Sequence, residues 1–184
     1  MGQKRVVVAL ADGFEEIEAL APVDILRRAG LEVVVAGVGS GEPEGAHGVR
    51  VPADTTIEKV TERPDAVVLP GGMPGAENLE KSRVLADLCR DVRDRGGLVA
   101  AICAAPAVAL ESFGLIGSKR FTCYPGFESR VKNGAFSEDR VVVDGNLVTS
   151  RGPGTAMEFA LEIVRILVGE STARDLTKGL LLRT

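Results

Sequence analysis

The chain contains only one histidine and three cysteines among its 184 residues. His47 and the dispersed Cys89, Cys103 and Cys123 do not form any of the usual metal-ligand spacings. Three cysteines without paired spacing also make a poor disulfide framework, which favours a reducing compartment. We therefore expect no metal, no disulfide and a cytoplasmic protein.

Other features that the sequence lacks argue against membrane, nucleic-acid and nucleotide partners. No apolar run approaches the length of a membrane span, and acidic Asp12 follows closely after the first run, Val6–Leu10, so neither a membrane span nor a signal peptide is expected. The net charge of −4 gives no general attraction to nucleic acid. There is no Walker loop, and the spacing of Gly39, Gly41 and Gly45 does not fit a dinucleotide fingerprint. No cofactor of any kind is predicted.

Short apolar runs alternate with helical patterns along the chain, which predicts a mostly parallel, doubly wound α/β sheet in one domain over residues 1–184. The predicted strands are Val6–Leu10, Glu32–Ala36, Ala66–Leu69, Leu98–Ile102 and Leu147–Thr149. The predicted helices are Glu15–Ala29, Ala76–Asp94, Ala104–Phe113 and Thr155–Leu167. Arg140–Val143 and Leu147–Thr149 flank Asp144-Gly145, which predicts a hairpin.

Cys103 lies between a buried strand and a helix that begins near Ala104. Such a turn presents a nucleophile at the top of the sheet, and the helix N-terminus should lower the thiol pKa. The small Ala104 and Ala105 allow a tight turn. The alternative is an ordinary buried cysteine, which is also our interpretation of Cys89 and Cys123.

Glu18 lies on the apolar side of the first predicted helix, with Ala21, Pro22 and Ile25. Burial there would raise the carboxyl pKa, and a neutral carboxyl can donate to a thiolate. The alternative is a surface glutamate. Glu15 and Glu16 are explained by the helix dipole alone.

Gly71 and Gly72 follow a buried strand and could direct backbone N–H groups at an oxyanion, or they could form an ordinary tight turn.

Together these segments resemble the ThiJ/PfpI superfamily, nearest to the branch of the Parkinsonism-associated protein deglycase (DJ-one) with its bacterial and plant relatives. The matching segments occur in order through nearly the whole chain: Glu15-Glu16-Ile17-Glu18, Pro22–Gly30, Leu69-Pro70-Gly71-Gly72, Ala101–Pro106 and Thr149–Thr155.

The resemblance implies a flavodoxin-like sandwich with helices on both faces, and usually a homodimer. It implies a protonated Glu18 hydrogen-bonded to the Cys103 sulfur. The remaining substrate-binding candidates are Gly71, Gly72, Ala104, Arg28, His47 from the partner subunit, Tyr124, Arg151 and Pro153. Two departures put the pocket's polarity and substrate preference in doubt: Tyr124 precedes Pro125 where close animal relatives have histidine, and His47 stands where arginine is frequent.

The function that the resemblance implies is a glyoxalase III or protein deglycase, with Cys103 as nucleophile and Glu18 as acid–base. It would convert methylglyoxal or glyoxal to a hydroxy acid without glutathione, or act on aldehyde adducts of proteins. Peptidases of the superfamily carry a histidine directly after the nucleophile, where this chain has Ala104. A redox sensor or holdase chaperone that responds to oxidation of Cys103 stays open as an alternative.

Overall fold

The computed structural model describes residues 2–182. Its strands and helices follow one another as β1 (Arg5–Ala11), α1 (Glu16–Arg28), β2 (Glu32–Val38), β3 (Thr55–Thr56), β4 (Ala66–Leu69), α2 (Gly75–Glu80), α3 (Arg83–Asp94), β5 (Leu98–Ile102), β6 (Arg120–Phe121), β7 (Ala135–Phe136), β8 (Val141–Asp144), β9 (Leu147–Ser150), α4 (Ala156–Leu167) and α5 (Glu170–Gly179). Short 3₁₀ turns occupy Ile57–Lys59, Glu128–Arg130 and Pro153–Thr155, and a π-helical segment occupies Pro106–Leu110.

Seven strands form one sheet in the order β3-β2-β1-β4-β5-β9-β8. All neighbours are parallel except β8, which pairs antiparallel with β9 across the predicted hairpin turn. The prediction of a mostly parallel sheet is confirmed. Strands β6 and β7 form a separate two-stranded ribbon.

The sheet is covered on both faces, because alternate side chains of each central strand belong to different cores. Val6, Val8 and Leu10 of β1 pack with residues of α1 and α4. Val7 and Ala9 pack on the other side with residues of α3 and the π-helical segment. Burial on both faces explains why the central strands read as continuous apolar runs rather than alternating ones.

The helices depart from the sequence prediction in three places. The predicted helix Ala76–Asp94 is two helices, because Ser82 interrupts it and its hydroxyl accepts a hydrogen bond from the N–H of Leu85 at 3.2 Å, as an N-cap. The predicted helix Ala104–Phe113 contains the π-helical segment. Helix α5 was missed, since Ala173 is its one buried residue among those described. Within residues 2–182, no helix combines the length and apolar character needed to cross a membrane.

The topology places four loops together. Strands β1, β4, β5 and β9 are parallel neighbours, so the loops that follow them meet at one edge of the sheet. Those loops carry Glu15 at the N-terminus of α1, Gly71-Gly72, Cys103 and Gly152-Pro153, and Glu18 follows Glu15 in the first turn of α1.

Candidate active site

Cys103 occupies a sharp turn directly after β5. Its φ is 65°, a left-handed conformation that costs a residue other than glycine about 1–3 kcal/mol and persists only where the surroundings enforce it. Two backbone hydrogen bonds enforce it here: the Cys103 N–H donates to the Ser150 carbonyl at 2.9 Å, and the Tyr124 N–H donates to the Cys103 carbonyl at 2.8 Å. The residue is 8% exposed, whereas Cys89 and Cys123 are 0% exposed. The elbow predicted from the sequence is therefore present.

Two backbone amides are directed at the Cys103 sulfur, those of Gly72 and Ala104. Gly72 has φ of 89°, and a Cβ there would lie 2.5 Å from the backbone nitrogen of Glu15. Any other residue would clash with the segment before α1, so glycine is required at this position. The same two N–H groups would face an oxyanion formed on a carbon attached to that sulfur.

Glu18 enters the site from the first turn of α1 and is 0% exposed. Its Oε2 accepts a hydrogen bond from the Gly71 N–H at 2.9 Å, whereas its Oε1 has no partner of good hydrogen-bond geometry. Burial, assisted by the negative charge of Glu15, raises the pKa of the Glu18 carboxyl to about 7. A buried carboxylate with an unpartnered oxygen is costly, so the surroundings favour the protonated form.

The Cys103 thiol and the Glu18 carboxyl interact closely enough to change each other's pKa. Burial, followed by the charge of an ionised Glu18, raises the pKa of the Cys103 thiol to about 12, against the lowering effect of the Gly72 and Ala104 amides. The sequence prediction of a lowered thiol pKa is therefore wrong while Glu18 is ionised. With Glu18 protonated, the charge repulsion is absent and the carboxyl O–H can donate to the sulfur.

Gly71 is required at the contact between the two groups. A Cβ at this position would lie 2.6 Å from the Cβ of Cys103 and 2.8 Å from Oε2 of Glu18. Any side chain here would push the pair apart, which explains the glycine better than a tight turn does.

Tyr124 and Gly152 lie near Oε1 of the Glu18 carboxyl. A Cβ on Gly152 would lie 3.2 Å from the Tyr124 ring and 3.9 Å from Oε1 of Glu18. The Gly152 loop is fixed by Thr155, whose hydroxyl donates to the Gly152 carbonyl at 2.9 Å and accepts from its N–H at 3.1 Å. Pro153 follows directly, and Tyr124 is half-exposed.

Two predicted binding residues lie elsewhere within the single chain. Arg28 is ten residues after Glu18, about 15 Å along the helix, and its Nε donates to Asp24 at 2.7 Å. The Arg151 guanidinium lies 5.8 Å over the Phe136 ring, where its charge acts on Cys123. The chain does not bring either side chain to Cys103.

His47 is bonded to Glu16 rather than to Cys103. Its Nδ1 lies 2.8 Å from Oε2 of Glu16, and its N–H donates to Oε1 at 2.7 Å. Glu15, Glu16 and His47 bring possible metal-ligand atoms within 4.8 Å of one another, a cluster not anticipated from the sequence. Hydrogen bonds inside the chain already engage these carboxylates, so the cluster serves to hold the His47 loop on α1.

Glu15 is the residue at this site that sequence reasoning missed. It caps α1, with Oε2 accepting from the Glu18 N–H at 2.8 Å, and its own N–H donates to the Gly71 carbonyl at 3.0 Å. Glutamate is an unusual N-cap, and an acid in front of a predicted helix has an adequate electrostatic explanation. Only the fold shows that it touches both Glu18 and the glycine loop.

The profile of the DJ-1/PfpI family matches residues 4–166. The chain belongs to the DJ-1/PfpI family. Among its relatives, Protein dj-1beta of Drosophila melanogaster is 44% identical over 182 residues, covering 97% of each chain. A Caenorhabditis elegans relative named Glutathione-independent glyoxalase DJR-1.2 is 36% identical over 184 residues, covering 98% of this chain and 97% of the relative.

Solved structures of family members share the fold. Drosophila melanogaster DJ-1beta superposes with a TM-score of 0.95 at 42% identity, covering all of both chains. Toxoplasma gondii DJ-1, in a structure described as oxidized, superposes with a TM-score of 0.95 at 40% identity, covering 98% of this chain and all of that one. The flavodoxin-like prediction is confirmed.

Proposed function

We propose that this DJ-1/PfpI family member is a cysteine-dependent glyoxalase that converts methylglyoxal or glyoxal to a hydroxy acid without glutathione. One observation carries the proposal. Cys103 stands in a strained elbow with two amides directed at its sulfur, in contact with a buried carboxyl whose pKa is about 7. That set supplies a nucleophile, oxyanion donors and an acid–base group poised near neutral pH.

The first step uses the proton that Glu18 holds. The Cys103 thiolate attacks the aldehyde carbon and forms a C–S bond, while the carbonyl π electrons move to oxygen. The Gly72 and Ala104 amides stabilise that oxygen, and Glu18 gives it the proton. The product is a hemithioacetal, and Glu18 is now a carboxylate.

The second step moves a proton between carbons. The Glu18 carboxylate takes the proton from the former aldehyde carbon, and the electron pair moves through the C–C bond onto the neighbouring carbonyl oxygen to give an enediolate. Glu18 then returns that proton to the neighbouring carbon, while the hydroxyl proton of the first carbon passes to the neighbouring oxygen and a C=O bond forms on the first carbon. The result is a thioester of the hydroxy acid on Cys103. Glu18 takes a proton from water as the hydroxide adds to the thioester, and the C–S bond breaks. This releases the acid, which is lactate when the substrate is methylglyoxal, and restores both the Cys103 thiolate and the protonated Glu18.

The name of the Caenorhabditis elegans relative supports this reaction at 36% identity. Aldehyde adducts on proteins are a second substrate class for the same chemistry, since their carbonyl-derived carbon is open to the same thiolate. A Cys–His peptidase is disfavoured, because Ala104 follows the nucleophile and His47 is bonded to Glu16.

The test is lactate formation from methylglyoxal in the absence of glutathione, by wild type and Cys103→Ala. We expect turnover that the variant lacks. In D₂O, lactate with deuterium at carbon 2 would report exchange from the Glu18 carboxyl during the enediol step. No lactate from wild type would refute the proposal.

Redox sensing is a second candidate, favoured by the same two amides. They would hold the oxygens of an oxidised Cys103 sulfur as they hold an oxyanion, and Toxoplasma gondii DJ-1 has been solved in an oxidized form. The holdase chaperone alternative would use that oxidation as its switch.

We also propose a cytoplasmic homodimer. The three cysteines are free, as a reducing compartment requires. Ile17 is 54% exposed and Met157 45% exposed, beside an apolar groove of about 660 Å³ that Pro153 helps to line. His47, whose side chain is 72% exposed, is available to a partner subunit's pocket. Sedimentation should give twice the mass of one chain, and a monomer at micromolar concentration would contradict this.

A further inference from the structure

Three hydrogen bonds link Glu15, Gly71 and Glu18 in a closed ring. The Glu15 N–H donates to the Gly71 carbonyl at 3.0 Å. The Gly71 N–H donates to Oε2 of Glu18 at 2.9 Å. The Glu18 N–H donates to Oε2 of Glu15 at 2.8 Å. One residue thus fixes both the glycine loop that faces Cys103 and the carboxyl beside it.

Capping alone does not explain a glutamate here. An N-cap needs only a hydrogen-bond acceptor, and serine or threonine supplies one without charge. Glu15 is 9% exposed, and no lysine or arginine within residues 2–182 forms an ion pair with it. The helix dipole offsets part of the cost of a buried charge, but a neutral cap would avoid that cost altogether.

We propose that Glu15 is a positioning residue of this site, which holds the Glu18 carboxyl in place through the ring of hydrogen bonds. Its negative charge keeps on Glu18 the proton that Glu18 and Cys103 share, so that Cys103 is the thiolate. This deepens the proposed function, because that reaction starts from a protonated Glu18 and an ionised Cys103.

The charge of Glu15 lies against Glu18. Glu15 accepts a hydrogen bond from the Glu18 N–H at 2.8 Å, and its negative charge raises the pKa of the Glu18 carboxyl. Glu15 therefore opposes ionisation of Glu18, and in this proposal that effect leaves the negative charge of the pair on the Cys103 sulfur.

Few other charged groups face Glu18. Cys103 faces it from the end of β5, and the Gly71 amide from the loop after β4. Glu16 is turned to His47, and a His47 nitrogen lies within 4.8 Å of a Glu15 oxygen, so a protonated His47 would weaken the effect of Glu15. Tyr124 lies beside Gly152.

Four variants separate charge from capping. Asp and Ser are both short caps and differ in charge, so Glu15→Asp and Glu15→Ser form a matched pair; Glu15→Gln keeps the side-chain length without charge. Glu77→Gln, which removes an acid from the first turn of α2, is the control for loss of one negative charge.

The readout is the Cys103 thiolate, measured by ultraviolet absorbance and by alkylation rate against pH, which requires no aldehyde turnover. We expect Glu15→Gln and Glu15→Ser to lower the alkylation rate of Cys103 at neutral pH about three- to tenfold, equivalent to about 0.5–1 pKa unit. In a plot of alkylation rate against pH, the fall on the acidic side should also move to lower pH. Glu15→Asp should recover most of the thiolate, and Glu77→Gln should match wild type.

The outcomes are distinct. Equal behaviour of the Asp and Ser variants, with circular dichroism showing both folded, would reduce Glu15 to a helix cap and overturn the proposal. The proposal would also be overturned if the Cys103 thiolate of Glu15→Gln titrated with pH as it does in wild type. If one uncharged variant fails to fold, the other still gives the comparison with Glu15→Asp; if Glu15→Asp fails to fold, the comparison of wild type with Glu15→Gln, which has the same side-chain length, decides. If the uncharged Glu15 variants lose the Cys103 thiolate and wild type shows no glyoxalase activity, the result supports the role of Glu15 and rejects the proposed function.

Discussion

Replacement of Gly71 by alanine tests whether Cys103 and Glu18 are held as closely as the structure shows. The new methyl carbon would lie 2.6 Å from the Cβ of Cys103, where carbon atoms normally pack at about 3.6 Å. The elbow or the loop must therefore yield by about 1 Å. Oε2 of Glu18 at 2.8 Å and the Ile102 carbonyl at 2.9 Å prevent the methyl from turning aside.

Both stability and activity should respond. Overpacking of this kind costs about 1–3 kcal/mol. With about 2–4 °C per kcal/mol for a chain of this size, we expect Tm to fall by about 4–8 °C for a cost near 2 kcal/mol. A misplacement of about 1 Å at a reacting group should lower kcat by about 10²-fold.

The assays are thermal unfolding and lactate formation, with Gly41→Ala as the control. Gly41 has open space around its Cβ position and no positive φ, so its replacement should change stability by no more than about 0.5 kcal/mol. If Gly71→Ala keeps the Tm of wild type and a third or more of its activity, the close packing of the pair does not govern the reaction.

Three further predictions follow from the pair. Glu18→Gln should lower kcat by about 10²-fold or more with KM little changed, because the amide cannot carry the proton; steady-state kinetics equal to wild type would assign the transfer to another group. Burial raises the Glu18 pKa to about 7 and, with Glu18 ionised, the Cys103 pKa to about 12. Loss of the first proton from Glu18 alone would leave Cys103 unreactive until alkaline pH, whereas the proposed loss from the sulfur predicts that alkylation of Cys103 rises through neutral pH, and that in Glu18→Gln this rise moves to alkaline pH because the buried thiol must ionise without a carboxyl donor. Mild peroxide should add oxygen to Cys103 before Cys89 or Cys123, both of which are 0% exposed, and peptide mass spectra showing either of those oxidised first would contradict this.

The features that the sequence predicted well depend on local pattern. Continuous apolar runs such as Leu98–Ile102 located the buried strands, and the structure brings together Glu18 and Cys103, the two residues that the sequence singled out for the candidate site. Helix α5 was missed because its side chains are largely exposed and only three small or apolar residues, Ala173, Leu176 and the C-cap Leu180, mark its inner face, which is a weak pattern.

The features that the sequence could not predict depend on contacts between distant segments. Glu15 meets Gly71 across 56 positions of the chain, and the acid pattern before the helix was already explained by the helix dipole. The thiol pKa was predicted from the elbow alone, but burial and the carboxylate of Glu18 act in the opposite direction and are stronger. Arg28 lies on the same helix as Glu18, but its distance along that helix separates it from the pocket.

The central claim is that Cys103 is the nucleophile of a glutathione-independent glyoxalase. The most direct measurement is the initial rate of lactate formation from methylglyoxal by wild type, Cys103→Ser and the buried-cysteine control Cys89→Ser. We predict that Cys103→Ser loses nearly all activity, since a serine hydroxyl is not ionised at neutral pH, while Cys89→Ser, if folded, retains it. A tenth or more of the wild-type rate in Cys103→Ser would contradict the claim.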